Sequence, residues 1–366
     1  MKNLSRRHFL HGVAAAAVLT HIPFARAADD GIAWHDPKDT GIEGKGWSDT
    51  KRFYDRLPGK AEGVVRGAVW NLSRHSAGMC FDFETDATTI RARWSLLSGS
   101  LAMPHMPATG VSGLDLYAQD EKGTWRWVNV AKPTGQKSEA TLIANIRPGH
   151  RRYRVYLPLY NGAESVEIGV DSSAKFKLMK PRDVKPIVFY GTSITHGACA
   201  SRPGMPHPAI LGRWLDRPVL NLGFSGNGKM EKEVAELLAE LDPCIYVIDC
   251  LPNMDSKLVS ERIDPFVRTL RKARPTTPIV LVEDRINTDA HWLPARAAHH
   301  EANHAALRKA YANLKSAGVK HLAYIEGRPL LGDDGEAATD GSHPSDLGFM
   351  RQAEHMNKTL APLLKG

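Results

Sequence analysis

The pattern of apolar residues changes near residue 180, and this change constrains the fold of the 366-residue chain more than any other feature. Before it, apolar and polar residues alternate with period two in short segments separated by Gly, Asn and Asp turns, with no amphipathic helix between them. The alternating segments are residues 79–83, 89–94, 125–128, 153–157 and 165–170. This spacing is typical of antiparallel sheets, and it predicts a β-sandwich or jelly roll over residues 28–180.

From residue 181 to residue 366, wholly apolar strands alternate with segments that are apolar at helical spacing. The predicted strands are residues 187–190, 219–222, 245–248, 279–282 and 321–325, and the predicted helices are residues 231–241, 258–273 and 296–317. The pattern predicts right-handed βαβ units on a parallel sheet that is covered on both faces. Ligands of such sheets bind at the carboxyl ends of the strands, so the residues that follow each strand are the candidate site residues.

The first 27 residues predict an export signal. Arg6 and Arg7 precede a mildly apolar stretch at residues 13–24, and Ala-Arg-Ala at residues 25–27 precedes two aspartates. This is the arrangement of a twin-arginine signal with an A-x-A cleavage site; the alternative is a chance arginine pair before an ordinary core helix. We therefore expect a periplasmic or secreted mature protein that is exported folded and has no membrane attachment after the signal is removed.

Composition excludes several classes of protein. Hydrophobic residues make up 42% and charged residues 24% of the chain, as in globular domains. After the signal, 44 Lys and Arg residues face 40 Asp and Glu residues, an excess too diffuse to predict nucleic-acid binding. The four cysteines form no CxxC pair, and we expect buried free thiols at Cys80, Cys199, Cys244 and Cys250.

Two strand ends carry residues that could catalyse acyl transfer. Ser193 follows the first predicted strand of the α/β region, where a turn would present its hydroxyl, although serine is also a common helix cap. Asp340 and His343 follow the last strand, and their spacing lets the carboxylate hold one ring nitrogen while the other acts as a general base. The alternative for Asp340 is the cap of a helix that starts there.

Two further strand ends carry candidate hydrogen-bond donors. The run NLGFSGNG at residues 221–228 follows the second strand, and Asn253 follows the third. Each could be plain turn chemistry. The coincidence of a serine, an Asp and His pair and two donor groups at successive strand ends favours an acyl-transfer site with an oxyanion hole.

With these four blocks, residues 185–366 resemble the SGNH (GDSL-like) hydrolase superfamily, whose blocks carry Ser, Gly, Asn and Asp-x-x-His in this order. The resemblance implies a three-layer, flavodoxin-like parallel sheet without a metal or another cofactor. It implies these site residues: the triad of Ser193, Asp340 and His343, and the oxyanion hole of Ser193, Gly226 and Asn253. Gly223 stays an alternative to Gly226. Two departures are Thr192, where many members have Asp, and the lack of a glycine before Asn253.

The run GLDLY at residues 113–117 resembles the GxDLY signature of a jelly-roll module that precedes one branch of this superfamily, which extends the similarity over residues 35–180. The loop at residues 199–205 is also typical of the branch and is expected to line the pocket. Together with export, the resemblance implies a serine esterase that removes short acyl groups, acetyl foremost, from carbohydrate. Trp125, Trp127 and Trp292 are candidate faces for sugar rings, and core or interface positions are the alternative.

A competing pattern lies on the last of the predicted helices. His300, Glu301 and His304 fit HExxH, which on a helix places two histidines on one face for zinc, and Glu326 is a candidate third ligand. The extended metzincin pattern would need Gly and His where Leu307 and Ala310 stand. A zinc-dependent hydrolase is therefore an alternative function, and a non-catalytic carbohydrate-binding protein is another.

Overall fold

The structure is a computed structural model that describes residues 31–364 and contains two antiparallel sheets and one parallel sheet. The expected twin-arginine segment lies outside the described residues. Among the helices of residues 31–364, none is long and apolar enough to cross a membrane.

The two antiparallel sheets face each other and form the predicted β-sandwich. One has the strand order β1-β8-β3-β6 and the other the order β5-β4-β7-β2-β9. Their strands are β1 (Ile32–His35), β2 (Cys80–Thr85), β3 (Ile90–Leu96), β4 (Leu114–Gln119), β5 (Trp125–Ala131), β6 (Lys137–Ile143), β7 (Arg151–Tyr156), β8 (Ala163–Asp171) and β9 (Phe176–Leu178). Alternate residues of both sheets, among them Phe83, Trp94 and Leu116, fill one common core.

The parallel sheet has the strand order β11-β10-β12-β13-β14, which is the flavodoxin-like order. Its strands are β10 (Ile187–Gly191), β11 (Val219–Gly223), β12 (Ile245–Asp249), β13 (Ile279–Val282) and β14 (Leu322–Ile325). The predicted strands are thus observed, with ends shifted by one residue at most, because continuous apolar runs are what a sheet buried on both faces requires.

Helices cover both faces of the parallel sheet, as predicted. The helices in chain order are α1 (Gly67–Ser73), α2 (Ala108–Ser112), α3 (Ser193–His196), α4 (His207–Trp214), α5 (Lys232–Glu240), α6 (Ser256–Ala273), α7 (Pro294–Ser316) and α8 (Asp346–Leu363). The 3-10 helices of the described chain are Pro37–Asp39, Gly59–Ala61, Leu251–Asn253, Thr288–His291 and Arg328–Leu330. The helices α5, α6 and α7 pack on one face and α4 and α8 on the other, which makes three layers.

A segment that precedes β2 in the chain packs on the parallel sheet. Leu57, Val69 and Trp70 belong to the same core as β10, β11 and β12. The fully buried Arg56 donates hydrogen bonds to the backbone oxygens of Asn221 (2.9 Å) and Gly223 (2.8 Å) at the end of β11. Residues 56–70 therefore support the α/β layer, and the division of the chain at residue 180 stays a prediction.

Candidate active site

Ser193 stands at the carboxyl end of the parallel sheet. It is the first residue of α3 and follows β10 after Thr192, whose side chain accepts a hydrogen bond from the Ile194 N–H (3.3 Å). Ser193 is 8% exposed, and its Oγ lies 2.8 Å from His343 Nε2. The tight turn after a buried strand thus presents the hydroxyl to a histidine that is 150 residues away in the chain.

His343 and Asp340 lie in the loop between β14 and α8. His343 Nδ1 is 2.7 Å from Asp340 Oδ2, and the backbone N–H of His343 donates to Asp340 Oδ1 at 2.8 Å. Burial raises the pKa of Asp340, but the hydrogen bonds from His343 and from the Ser342 N–H outweigh burial, so that this pKa lies below its ordinary value. The helix α8 takes Ser345 as its N-cap, so Asp340 is not that cap.

The glycines that follow β11 differ in whether their N–H groups are already bonded. The Gly223 N–H donates to the Asn221 side chain at 3.0 Å, and a Cβ at Gly223 would lie only 2.1 Å from the His196 nitrogen. Gly226 adopts a φ of 68°, in the left-handed region that favours glycine. Among residues 31–364, no acceptor bonds the Gly226 N–H, so Gly226 rather than Gly223 has a donor to offer.

Asn253 ends the 3-10 helix that follows β12. When its amide is oriented so that both groups are satisfied, Oδ1 accepts from the backbone N–H groups of Asn227 (3.0 Å) and Gly228 (3.2 Å). This orientation turns Nδ2 away from these donors and leaves it to donate elsewhere. Position 228 requires glycine, because a Cβ there would lie 1.9 Å from the Gly191 backbone oxygen and would push the two backbones apart.

Known proteins share this sequence and this fold. Residues 184–361 match the model of the GDSL-like lipase/acylhydrolase family, and residues 32–176 match the GxDLY module described as the N-terminus of SGNH-hydrolase-type esterases. The crystal structure of a GDSL-like lipase from Bacteroides ovatus is 34% identical, with a TM-score of 0.86, and the match covers 91% of this chain and 98% of that one. The chain belongs to the GDSL-like lipase/acylhydrolase family.

More distant structures share the fold of this acylhydrolase. The salicylyl-acyltransferase SsfX3 from a tetracycline biosynthetic pathway is 19% identical with a TM-score of 0.72, and a family two carbohydrate esterase from Cellvibrio japonicus is 12% identical with a TM-score of 0.58. Both matches cover 91% of this chain and 98% of the other. Among curated proteins, none matches the chain in sequence.

A buried ion pair that the sequence analysis missed lies under Ser193 in the acylhydrolase. Asp249, the last residue of β12, accepts from Arg285 (2.7 Å) and from Thr195 of α3 (3.2 Å). All three side chains are buried; burial raises the pKa of Asp249, and Arg285 opposes that shift. The pair connects α3 with the end of β12 and the segment that follows β13, and its one sequence signal is a charge at the end of an apolar strand.

Three potential metal ligands of the acylhydrolase lie close together at the loop between β14 and α8 that carries Asp340 and His343, called the DxxH loop below. Ligand atoms of Cys199, Asp340 and His343 lie within 4.8 Å of one another, which within residues 31–364 is the group that could hold an ion. Burial, with a smaller effect of the Asp340 charge, raises the pKa of the Cys199 thiol to about 11. Within this cluster, Asp340 Oδ2 and His343 Nδ1 already bond each other at 2.7 Å.

The HExxH histidines on α7 face the end of β13. His300 Nδ1 lies 3.1 Å from Asp284 Oδ2, and His304 lies between the Asp284 backbone oxygen (Nε2, 2.7 Å) and Glu283 Oε2 (Nδ1, 3.3 Å). Both histidines are buried, whereas the Glu301 side chain is 58% exposed and pairs with arginines at the surface. Glu326, the candidate third ligand, is exposed too. The structure therefore does not gather these residues around one point.

The acylhydrolase exposes its candidate tryptophans to different degrees. Trp292 is 78% and Trp127 is 50% exposed, whereas Trp125 is half-buried with the Arg154 guanidinium 4.6 Å from its ring. Trp292 directly follows the 3-10 helix Thr288–His291, and the Thr288 N–H donates to the Gly341 backbone oxygen in the DxxH loop at 2.9 Å. Trp292 is thus an exposed aromatic residue anchored next to the loop of His343.

Three of the four cysteines are buried as the sequence analysis expects, whereas Cys244 is not. All four cysteines are free thiols; Cys80, Cys199 and Cys250 are buried, and Cys244 is half-buried.

Proposed function

We propose that Ser193, His343 and Asp340 form a catalytic triad that hydrolyses short acyl esters. The observation that carries the proposal is the continuous chain of contacts, 2.8 Å from Ser193 Oγ to His343 Nε2 and 2.7 Å from His343 Nδ1 to Asp340 Oδ2. A neutral imidazole with Nδ1–H bonded to a carboxylate presents Nε2 as a base, which is what an otherwise weak serine nucleophile needs.

The reaction has two halves. In the first, Ser193 Oγ attacks the ester carbonyl while its proton passes to His343 Nε2; the tetrahedral intermediate then collapses, and His343 returns the proton to the departing alcohol oxygen. In the second, His343 takes a proton from water, the hydroxide oxygen attacks the acyl-enzyme, and the carboxylic acid leaves as Ser193 regains its proton. Asp340 stabilises the imidazolium that each half forms.

Three donors serve the negative oxygen of the tetrahedral intermediate. They are the backbone N–H groups of Ser193 and Gly226, which no acceptor within residues 31–364 occupies, and the Nδ2 group of Asn253. Donors that are already oriented need no reorganisation when charge develops, so they lower the barrier more than they tighten substrate binding.

The proposed substrate is an acetylated carbohydrate. The fold shared with carbohydrate esterases supports it, including one from Clostridium thermocellum whose structure is a complex with cellohexaose (13% identity, TM-score 0.53, covering 79% of this chain and 93% of that chain). The exposed Trp292 offers an apolar face of the kind that sugar rings stack on. We further propose that the enzyme meets this substrate outside the cytoplasm, after twin-arginine export with cleavage near Ala28.

The test measures acetate release from acetylated xylo-oligosaccharides and the hydrolysis of p-nitrophenyl esters of increasing chain length. We expect the acetyl ester to be the best of the series and Trp292→Ala to raise KM for the oligosaccharide only. The matched control is Trp214→Ala, because Trp214 is also exposed (44%) but lies at the end of α4. A preference for long acyl chains, or an equal effect of both tryptophans, contradicts the substrate proposal.

A further inference from the structure

The loop at residues 199–205 lies directly against the proposed triad. Cys199 Sγ lies within 4.8 Å of side-chain ligand atoms of both Asp340 and His343. The Ser201 N–H donates to Asp346 Oδ1 at 3.0 Å, at the first residue of α8 and three residues beyond His343. Because the loop lies close to His343 itself and hydrogen-bonds the chain three residues beyond it, its position affects where the His343 ring lies relative to Ser193.

The β-sandwich holds this loop through the acidic residue of its GLDLY run. Asp115 on β4 is fully buried, and Oδ2 accepts from Arg202 Nη1 (2.9 Å) and from the Gly204 N–H (2.8 Å). Its Oδ1 accepts from Trp127 Nε1 at 2.8 Å. The last residue of the run, Tyr117, hydrogen-bonds the same Arg202 nitrogen. Two residues of the signature, Asp115 and Tyr117, thus bind the loop at residues 199–205.

The loop at residues 199–205 also packs closely against the β-sandwich. A Cβ at Gly110 would lie 2.3 Å from the Ala200 backbone oxygen, and a Cβ at Gly204 would lie 2.5 Å from the Tyr117 ring. Thr109 adds a hydrogen bond from its hydroxyl to the Ser201 backbone oxygen at 2.7 Å. Backbones in such close contact transmit a displacement of one surface to the other.

The charges of Asp115 and Arg202 depend on each other at this junction, which is the contact between β4 and the loop at residues 199–205. Burial raises the pKa of Asp115 and Arg202 opposes that shift, while the guanidinium lies 4.7 Å from the Trp127 ring. A buried carboxylate with three donors is stable in one arrangement, and loss of one partner leaves the other buried and unpaired.

We infer that Asp115 is a positioning residue for the proposed hydrolysis, which acts through Arg202 and Gly204 to hold the loop that sets His343 and Asp340 against Ser193. The inference rests on the proposed function, and it gives the GxDLY signature a role: its Asp and Tyr fasten a loop of the catalytic site. The β-sandwich is then part of the scaffold of the active site.

The first test compares Asp115→Asn and Arg202→Gln with Asp82→Asn. Asp82 is a matched control because it is a buried aspartate of the same sheet that pairs with two arginines, Arg152 and Arg154, away from the loop. We expect both junction variants to lower kcat on p-nitrophenyl acetate roughly 10- to 100-fold with KM within about two-fold, as for a misplaced catalytic group. Asp82→Asn should lower Tm and leave kcat unchanged.

The second test measures loop position without catalysis. In a Cys244→Ala background, the native protein is titrated with dithiobis(nitrobenzoate), since Cys80, Cys199 and Cys250 are all buried. Release of the loop by Asp115→Asn or Arg202→Gln should speed the labelling of Cys199 at least 10-fold, whereas Asp82→Asn should not.

The outcomes separate the two proposals. Unchanged kcat and unchanged labelling in both junction variants overturn the role of Asp115, as does an equal kcat loss in Asp82→Asn. A wild-type enzyme without esterase activity overturns the proposed function instead, and the labelling rates then still decide whether Asp115 holds the loop. Should Asp115→Asn not fold, Arg202→Gln carries both measurements, because the amide of glutamine can still donate a hydrogen bond to the buried Asp115 carboxylate.

Discussion

Two histidine arrangements in this acylhydrolase use the same kinds of residues and differ in what the ring nitrogens face. At the DxxH loop, His343 lies between a carboxylate and the Ser193 hydroxyl, and its side chain is 24% exposed. On α7, His300 and His304 are almost fully buried, and their nitrogens face Glu283, Asp284 and the Asn287 N–H in the segment that follows β13. A histidine can act as a general base only where a reacting group can reach it, which is the case at the DxxH loop.

The largest expected effect is that of His343→Ala. Removal of the base should lower kcat on p-nitrophenyl acetate by a factor on the order of 10⁵, as for a triad that acts as a unit, with little change in Tm. Ser193→Ala should give a loss of the same size, and the double variant should be no worse than either single one. Near wild-type turnover in either variant, checked by stopped-flow and steady-state rates, would remove these residues from the mechanism.

Asp340→Asn should lower kcat by a factor on the order of 10³ to 10⁴, because Asn neither stabilises the imidazolium nor selects its tautomer. The lowered pKa of Asp340 keeps this carboxylate ionised at and above its ordinary range, so the rate difference between wild type and Asp340→Asn should be present at neutral pH, as measured by pH–rate profiles of both proteins.

Asp340→Asn should also change how thermal stability depends on pH. A carboxylate whose pKa is lowered by folding stabilises the native state above its ordinary pKa, and this contribution is lost as pH falls through the folded value. Asp340→Asn should therefore unfold at a lower temperature than wild type at neutral pH, and this difference should shrink as the pH falls below the ordinary aspartate pKa. An equal Tm difference at both pH values would show that the charge of Asp340 contributes nothing to stability.

Asn253→Ala should lower kcat by a factor on the order of 10² with a small change in KM, as expected for the loss of one oxyanion donor. Asn227→Ala is the control, because the Asn227 side chain bonds Arg66 and Ser225 while its backbone N–H, which Asn253 accepts, is kept. A pure KM effect of Asn253→Ala would place its amide in substrate binding instead.

His304→Ala should show the reverse pattern from His343→Ala. Loss of a buried, hydrogen-bonded side chain should cost roughly 1–3 kcal/mol of unfolding free energy, measured by urea denaturation, because the Asp284 oxygen loses its partner. We expect kcat to stay within about two-fold, since the mutation removes no group from the proposed reaction.

The smallest expected effect is that of metal removal. Dialysis against a strong chelator should leave both kcat and Tm unchanged if neither His300 nor Cys199 holds an ion needed for the reaction. Activity that falls and returns with zinc would make the α7 histidines, rather than His343, the first residues to mutate.

Much of this architecture could be predicted from the chain because burial on both faces leaves a strong local signal. The five apolar runs of the α/β region became β10 to β14, and Ser193 and His343 stand where parallel strands end. The buried ion pair of Asp249 and Arg285 and the support from Arg56 were missed, since charged residues are ordinarily exposed and no local pattern marks an exception.

The sequence by itself determined the two kinds of sheet, the positions of the strands along the chain and the set of candidate residues. These features depend on periodicity and on turn residues, which are properties of a few neighbouring residues. Only the tertiary structure shows how the surroundings of the candidate residues differ. Gly226 differs from Gly223 because the Asn221 side chain already accepts from the Gly223 N–H. The HExxH histidines differ from His343 because Glu283 and Asp284, which follow β13, lie against them. Hydrogen-bond partners of this kind come from segments far apart in the chain, so no local pattern contains them.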